Sequence, residues 1–394
     1  MDFDKLKNDY MKCYGISENV KTSYCPYRIC PLGAHVDHQH GLVTGFAINY
    51  GVGIAYTIND DGFMQLTSTA FPQKIRFYID VFMERKGNWA DYLIGACKAL
   101  QKNGYILKYG INAYINGEMP IGGISSSSAV IIAFLRAISK ANHFYLTDKQ
   151  LIEYAYDSEV NYMHLAVGLL DPSCQVLAKQ NELLVLDTQN MKYELIKTKA
   201  DQSTFEFLLI HCGMTRTLEP KKYNLRVDEC KAAAFTIQAY EGVVTRLYKD
   251  TTLRDIPYDV FKKYEDKIPF SFRKRCIHFF GENERVEKGK LAWQNGDMVE
   301  FGKLVSESGA SSIQNYDTAS PLLTDIYNLL IEIDGVYGTR FMGGGFNGSC
   351  LAIIEKKKED NIKKTLTEKY LKMHPEFEET FKIYTINSVD GVGE

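Results

Sequence analysis

The sequence predicts a protein that mixes helices with strands and divides them between two cores. A chain of 394 residues is long for one domain, and two cores of roughly 150 to 200 residues each are expected. The first half alternates segments that have the two-residue period of strands with segments that have helical spacing. The second half is mostly helical in pattern and ends in a strand. We therefore expect two mixed domains, at 1–195 and 196–394.

The composition is that of an ordinary soluble globular protein, with 45% hydrophobic and 24% charged residues. The net charge of −3 gives no reason to expect nucleic acid or an anionic membrane as a partner. The first residues lack the apolar stretch of a signal peptide, and no run of about 18 apolar residues occurs. We expect a cytoplasmic protein whose nine cysteines are reduced. The sequence leaves open whether it is a monomer or a dimer.

A glycine-serine segment followed by an apolar helix is the most informative stretch. Alternating apolar and polar residues at 111–116 indicate a strand that ends at Gly117. From Gly122 to Ala141, glycines and four serines lead into apolar residues at helical spacing. The free N–H groups of a helix start attract a phosphate, and hydroxyls add donors. A serine-rich N-cap beside a glycine turn explains the pattern equally well. Neither a Walker nor a Rossmann glycine pattern is present.

The stretch from Tyr24 to His40 is predicted to be a strand edge and a polar loop, because prolines and Gly33 interrupt helical periodicity. The loop carries Arg28, His35, Asp37, His38 and His40. A metal site is one interpretation of this cluster. Because no Cys or Glu completes a tetrahedral set nearby, we favour a loop that binds a polar ligand without metal.

Two further helices and one acidic residue follow from the pattern. A helix over Asn88–Gly104 carries an aromatic and apolar stripe, and a capping box at Thr147–Gln150 opens another helix that contains Glu159 and ends near Gly168. Asp171 precedes a proline, which predicts an extended or turn conformation beyond the end of that helix. By itself such a carboxylate is best interpreted as a helix cap.

The second half of the chain has fewer local signals. Helices are predicted at 223–240, 282–294, 298–308, 322–333 and 362–372, and strands at 205–210 and 381–386; one more strand, at 183–186, is predicted before the domain boundary. Residues 340–354 read as two strands joined by a triple-glycine turn that includes Gly344 and Gly345.

Taken together, these features resemble the three motifs of the GHMP small-molecule kinases, in the galactokinase branch. Residues 27–38, YRICPLGAHVDH, match the pattern GRxNLIGEHxDY in its Arg, Gly, His and Asp. Residues 123–129, GISSSSA, match GLSSSAA, and residues 343–348, GGGFNG, match GGGFGG. Each motif alone is weak, but their order and spacing together are specific and cover nearly the whole chain.

The resemblance implies an α+β fold with a ribosomal-S5-like N-terminal domain, a ferredoxin-like C-terminal domain and an active site in the cleft between them. It also implies an ATP- and Mg²⁺-dependent kinase that phosphorylates the anomeric hydroxyl of a sugar, with Arg28 and Asp171 as the catalytic residues. Ser127 and Glu159 are implied to hold the Mg²⁺. The implied ATP-binding residues are Trp89, Tyr92, Gly122, Gly123, Ser125, Ser126, Ser127 and Ser128, and the implied sugar-binding residues are Ala34, His35, Asp37 and Tyr223.

The chain departs from the family's motifs at several positions. Pro120 is one residue closer to the glycines than usual and Ser128 is an extra serine, so the serines align with the motif in two registers that differ by one position. Pro172 replaces the Gln that usually follows the catalytic Asp, so the backbone beside Asp171 is expected to differ from that of the family. Ser349 replaces a frequent Cys, a change that we expect to be harmless.

The substrate prediction rests on Ala34. Residues 26–39, 223–230 and 301–316 resemble the members of this branch that phosphorylate D-galacturonate. Galactokinases carry at this position a Glu that holds the C6 hydroxyl of the sugar, and its replacement by Ala predicts a sugar with a C6 carboxylate. Tyr223, Arg226 and the histidines near Asp37 are candidate partners for that carboxylate. D-Galactose is the alternative substrate, a non-catalytic sugar sensor is a second alternative, and a serine hydrolase is disfavoured because no GxSxG elbow exists.

Overall fold

The protein was analysed as a computed structural model, which describes all residues except 17, 80–83, 121, 215–219, 244–246 and 394. The described helices are α1 (Phe3–Tyr14), α2 (Asp91–Lys102), α3 (Ser126–Ala141), α4 (Asp148–Asp157), α5 (Leu170–Leu177), α6 (Pro220–Glu241), α7 (Tyr258–Tyr264), α8 (Phe270–Asn295), α9 (Met298–Ser311), α10 (Pro321–Ile331) and α11 (Glu359–Met373). The described strands are β1 (Lys21–Ile29), β2 (Leu42–Asn59), β3 (Phe63–Ser68), β4 (Ile75–Tyr78), β5 (Gly110–Gly117), β6 (Glu182–Asp187), β7 (Lys192–Lys197), β8 (Phe205–Cys212), β9 (Val336–Phe341), β10 (Ser349–Glu355), β11 (Phe381–Ile386) and β12 (Ser388–Val389).

The first sheet is organised around the long strand β2. Its strand order among the described residues is β4-β3-β5-β2-β6-β7, and β1 and β12 pair with other parts of β2. All pairings are antiparallel except the one between β3 and β5. Leu42–Asn59 forms one continuous strand of 18 residues. Most of its side chains are buried, and Phe46, Ile48, Val52, Ile54 and Tyr56 form part of the main core with residues of α2 and α3.

The second sheet is antiparallel, in the order β11-β8-β10-β9. Its core contains apolar residues of α10 and α11, and a separate buried cluster contains residues of α6, α7 and α8. The proposed division of the chain at 195 and 196 falls in β7, and β12 returns from the second sheet to pair with β2. The two sheets are therefore connected by chain that crosses between them more than once.

Most predicted elements are present, with two local corrections. Asp171 and Pro172 lie inside α5, so the prediction of an extended or turn conformation at Asp171 is wrong. The first N–H groups of a helix need no partner within it, so a proline in the first turn costs no hydrogen bond. Arg28 lies on β1 and not in the following loop, because a bulge between Pro26 and Tyr27 accommodates the proline within the strand.

None of the helices in the described ranges is long and apolar enough to cross a membrane.

Candidate functional site

A cavity of about 260 Å³ is lined by residues from both halves of the chain. The predicted site residues that line it are Arg28, Ala34, His35, Asp37, Trp89, Tyr92, Gly122, Gly123, Ser125, Ser126, Ser127, Glu159, Asp171 and Tyr223. Ser128 is fully buried and is not among the described residues that line the cavity. The fold therefore gathers side chains that are spread over some two hundred residues of sequence into one wall.

Arg28 and Asp171 form an ion pair in this wall. The Arg28 Nε donates to Asp171 Oδ1 over 2.7 Å, and another guanidinium nitrogen donates to the Gly123 carbonyl over 2.9 Å. Burial lowers the pKa of Arg28, but the neighbouring Asp171 carboxylate outweighs it and the pKa is raised. Arg28 therefore stays charged and ties β1 to both the glycine-serine segment and α5.

The position of α5, and with it that of Asp171, is fixed by a residue that sequence reasoning missed. The buried Gln175 lies one turn after Asp171, and its Nε2 donates to the Ser125 carbonyl over 2.9 Å. Ser125 itself has the left-handed φ of 57°, a conformation that side chains other than glycine seldom adopt. Gln175 thus joins the start of α3 to the helix that carries the predicted catalytic carboxylate.

The glycines of the second and third motifs pack directly against each other. A Cβ atom at Gly343 would lie 2.6 Å from the Gly123 Cα, and one at Gly122, just before the second motif, would lie 2.6 Å from the Gly348 Cα. The Ser349 hydroxyl also donates to the Gly122 carbonyl over 3.1 Å. Glycine is required at these positions at least for loop packing, because no side chain fits between the two backbones.

Ser127 and Glu159 meet at the start of α3. The Ser127 hydroxyl donates to Glu159 Oε1 over 2.7 Å. Glu159 is buried and lies in the π-helical turn Ser158–Tyr162 that follows α4, a type of turn that is frequent at functional sites. A hydroxyl and a carboxylate are hard oxygen ligands that suit Mg²⁺. Among the described residues, no group of three or more His, Cys, Asp or Glu could hold a metal. The other ligands of a Mg²⁺ ion bound by Ser127 and Glu159 would therefore be phosphate and water oxygens.

An aromatic group forms another part of the cavity wall. Trp89 precedes α2 and Tyr92 lies in its first turn. Sequence reasoning missed Phe71, whose ring is nearly parallel to that of Trp89 at 5.9 Å between centroids. The buried Trp89 Nε1 has no hydrogen-bond partner among the described residues. This part of the wall suits a flat aromatic ligand such as a nucleotide base.

Asp37 lies close to Asp171 in the cavity wall. Its carboxylate accepts from the Leu170 N–H over 3.3 Å and from the His38 N–H over 3.1 Å. Burial and the negative charge of Asp171 raise the pKa of Asp37 to about 6. A Cβ at Gly168 would lie 2.3 Å from the Asp37 Cγ. The Asp37 carboxylate can therefore occupy this position only because residue 168 has no side chain.

The backbone of Ala34 is held by two residues of α8. Glu282 Oε2 accepts from the N–H groups of Gly33 and Ala34 over 2.8 and 3.1 Å. The His278 Nε2 donates to the Ala34 carbonyl over 2.9 Å. Although burial raises the pKa of Glu282, Arg285, His278 and Arg340 together lower it to about 2. The ionised, buried carboxylate of Glu282 therefore fixes the backbone turn at Gly33 and Ala34.

Arg340 of β9 supplies a further positive charge to the cavity wall. It donates to the hydroxyls of Ser308 over 2.7 Å and Ser312 over 3.4 Å and to the Phe341 carbonyl over 3.0 Å. The same Ser308 hydroxyl donates to Glu282 over 2.9 Å. The hydroxyl thus separates the guanidinium from the carboxylate, and the two charges do not pair directly.

The two predicted sugar-contacting residues of α6 have different surroundings. Tyr223 lines the cavity and its ring lies 6.2 Å from that of His35 and 6.1 Å from that of His38. Arg226 is not among the described residues of the cavity wall and pairs with Glu229 over 3.2 Å. Tyr223 is therefore placed to contact a ligand, whereas Arg226 is placed to stabilise α6.

This chain belongs to the GHMP kinase family. The model of the family's N-terminal domain matches residues 91–179, and that of its C-terminal domain matches residues 290–372. The chain has the two-domain α+β fold of this family and is an ATP-dependent sugar kinase of the galactokinase and galacturonokinase type.

Its relatives include enzymes with two named activities. The chain is 35% identical to a galacturonokinase of Arabidopsis thaliana over 378 residues, which cover 91% of this chain and 88% of that protein. It is 26% identical to a galactokinase of Roseiflexus over 395 residues, covering 100% of this chain and 97% of the relative. The crystal structure of Lactococcus lactis galactokinase complexed with galactose superposes with a TM-score of 0.90 at 22% identity and 99% coverage of both chains. The predicted family and fold are thus confirmed.

Proposed function

We propose that this protein transfers the γ-phosphoryl group of ATP to the anomeric hydroxyl of D-galacturonate, giving galacturonate 1-phosphate. The observation that carries the proposal is the short apolar side chain of Ala34 in the cavity wall, where galactokinases carry a Glu. Two unit negative charges about 4 Å apart repel by around 4 kcal/mol at an effective dielectric constant of 20. Alanine removes that repulsion toward a C6 carboxylate and leaves room for it.

The positive charges in the cavity wall support a uronic acid as substrate. Of the two arginines among the described residues of the cavity wall, Arg28 is paired with Asp171. Arg340 is held by hydroxyl and carbonyl groups instead of a direct carboxylate partner. A carboxylate on the substrate would gain from this positive charge in a poorly hydrated site.

In the proposed reaction, Asp171 orients the C1 hydroxyl and accepts its proton while the oxygen attacks the γ-phosphorus. The bond from that phosphorus to the bridging oxygen breaks, and ADP leaves. Because such a transition state is loose, positioning and charge stabilisation account for most of the rate. Arg28, which contacts Asp171 and the Gly123 carbonyl, keeps the carboxylate in place and adds positive charge beside the transferred group.

The nucleotide is proposed to lie between the aromatic wall and the start of α3. Trp89, Tyr92 and Phe71 would contact the base, and the N–H groups and hydroxyls from Gly122 to Ser127 would hold the phosphates. Ser127 and Glu159 would hold Mg²⁺, which neutralises phosphate charge when it is bound. Ser128, the remaining serine, is buried behind this surface.

D-Galactose is the second candidate substrate. It is favoured by the galactokinases among the relatives and by the fold shared with a galactose-bound galactokinase. A non-catalytic sugar sensor is a weaker alternative, because the chain keeps Arg28, Asp171 and the serines of the second motif.

An ADP-release assay on both sugars tests the proposal. We expect kcat/KM for D-galacturonate to exceed that for D-galactose by at least about tenfold, and the product to carry its phosphate on C1. A clear preference for galactose would reject the proposed substrate and leave a galactokinase. Sugar binding without any ADP release would favour the sensor.

A further inference from the structure

Tyr316 contacts both histidines of the first motif, residues 27–38. It is fully buried and ends the π-helical turn Ser312–Tyr316 that follows α9. Its ring stacks on that of His35, with 4.5 Å between centroids and 7° between planes. Its hydroxyl lies 2.8 Å from the His38 Nε2. One side chain from the second half of the chain thus touches the residues on either side of Asp37.

The hydrogen bonds of Gln39 determine where the proton of His38 lies. Gln39 Oε1 accepts from the Leu253 N–H over 3.1 Å, and its Nε2 donates to the His38 carbonyl over 3.1 Å. The amide orientation is therefore fixed, and the second Nε2 hydrogen points at the His38 Nδ1, 3.0 Å away. The Nδ1 must then be an acceptor, so His38 carries its proton on Nε2 and donates it to Tyr316.

The same reasoning fixes the proton of His35. Its Nε2 lies 2.8 Å from the Gly343 carbonyl oxygen, which can only accept. His35 is therefore protonated on Nε2, and its Nδ1 is a buried acceptor without a partner among the described residues. Burial lowers the pKa of both rings, that of His38 to about 3 and that of His35 well below its ordinary value. Both imidazoles are neutral at physiological pH.

We propose that Tyr316 is a positioning residue for the sugar site: its ring stacks on His35 and its hydroxyl accepts a hydrogen bond from the His38 Nε2–H, and together these contacts fix the first motif. The proposal rests on the proposed function in that it takes the segment of His35 and Asp37 to bind the sugar. It assigns a role to the segment 301–316, which the sequence alone singled out without explaining it. Neutral rings offer no cation, so these histidines are not the counter-charge of a C6 carboxylate.

The test compares Tyr316→Phe with Tyr370→Phe. Tyr370 is a matched control, because it is also fully buried and its hydroxyl donates to the Cys212 carbonyl over 2.8 Å in the second sheet. Tyr316→Phe leaves the His38 Nε2–H without an acceptor. The free energy lost when a buried donor has no partner corresponds to about a fivefold to hundredfold change in a binding constant. We expect the KM for the sugar to rise by that factor and the KM for ATP to stay unchanged, while Tyr370→Phe changes neither.

The KM is measured with whichever sugar the wild type uses better, so a wrong choice between galacturonate and galactose does not affect the result. An unchanged sugar KM in Tyr316→Phe, or sugar and ATP KM values that rise together, would overturn the positioning role. The tautomers are measured separately, from imidazole ¹⁵N shifts of histidine-labelled enzyme at neutral pH. Nε2-protonated His35 and His38 are expected, and a charged or Nδ1-protonated ring at either position contradicts the assignment.

Discussion

Arg28 and Asp171 are 143 residues apart in sequence, yet the Nε of one lies 2.7 Å from a carboxylate oxygen of the other. The pair joins β1 of the first sheet to the first turn of α5. The Arg28 guanidinium also contacts the glycine-serine segment. In the proposed phosphoryl transfer, an approach this close would let the positive charge and the carboxylate act on adjacent atoms.

Asp171→Asn removes the negative charge that is proposed to organise the C1 hydroxyl. We expect kcat to fall by roughly 10² or more while the affinities for sugar and ATP stay within a few-fold of the wild type. Steady-state kinetics with both substrates varied will measure this. Near-normal turnover would exclude Asp171 as the catalytic carboxylate.

Glu159→Gln should increase the Mg²⁺ concentration needed for half-maximal activity, because a hard cation prefers a carboxylate to an amide oxygen. Glu153→Gln is the control, since Glu153 lies on α4 with its side chain 52% exposed. A Mg²⁺ titration of both variants separates the roles. Equal Mg²⁺ requirements in Glu159→Gln and the wild type would place the metal ligands elsewhere.

Gly168→Ala should disturb the sugar site without affecting the nucleotide site. The new Cβ would lie 2.3 Å from the Asp37 Cγ, so the carboxylate must move. We expect at least a roughly tenfold rise in the sugar KM and an unchanged ATP KM. A variant with both KM values normal would show that Asp37 does not need its present position.

Asp37 makes the stability of the protein depend on pH. Its folded-state pKa of about 6 is raised above the ordinary value of 3.8 by burial and by Asp171. Between these two pH values, Asp37 is protonated to a larger extent in the folded protein than in the unfolded chain. The stability that this protonation contributes is therefore lost as the pH rises through that window. Compared with Asp37→Asn, the wild type should lose Tm from pH 4 to pH 6. Parallel Tm curves for the two proteins would contradict the raised pKa.

Glu282→Ala should destabilise the fold by about 3 to 5 kcal/mol, because it leaves the partly buried Arg285 without its partner and the turn at Gly33 and Ala34 without its acceptor. Glu284→Ala on the same helix is the control: its side chain is 66% exposed and its pairing with Lys288 is a surface contact, worth at most about 1 kcal/mol. Urea denaturation measures both. Equal losses in the two variants would mean that the Glu282 network contributes little.

The sequence predicted the parts of the site that lie within continuous motifs, and it missed those that depend on contacts between distant elements. The strand before Gly117, the helix after the serines and the strands around the triple glycine follow from local periodicity and glycine content. The proline rule failed at Asp171, because it ignores the freedom of a first helical turn.

Glu282, His278 and Tyr316 could not be predicted in the same way. They contact the first motif across 244 to 278 residues of sequence, and the helices that carry them have no local pattern typical of a site. The sequence feature that comes closest to predicting them is the spacing of His278 and Glu282, which are one turn apart on α8. Two polar side chains on the buried face of a helix require partners. Only the folded chain identifies those partners as the Ala34 turn.

The most direct test of the central claim is the sugar preference of Ala34→Glu. The proposal that Ala34 admits a C6 carboxylate predicts that the added glutamate lowers kcat/KM for D-galacturonate relative to D-galactose, so that the ratio narrows or reverses, with the ATP KM unchanged. An undiminished galacturonate preference in a folded Ala34→Glu variant would contradict the claim.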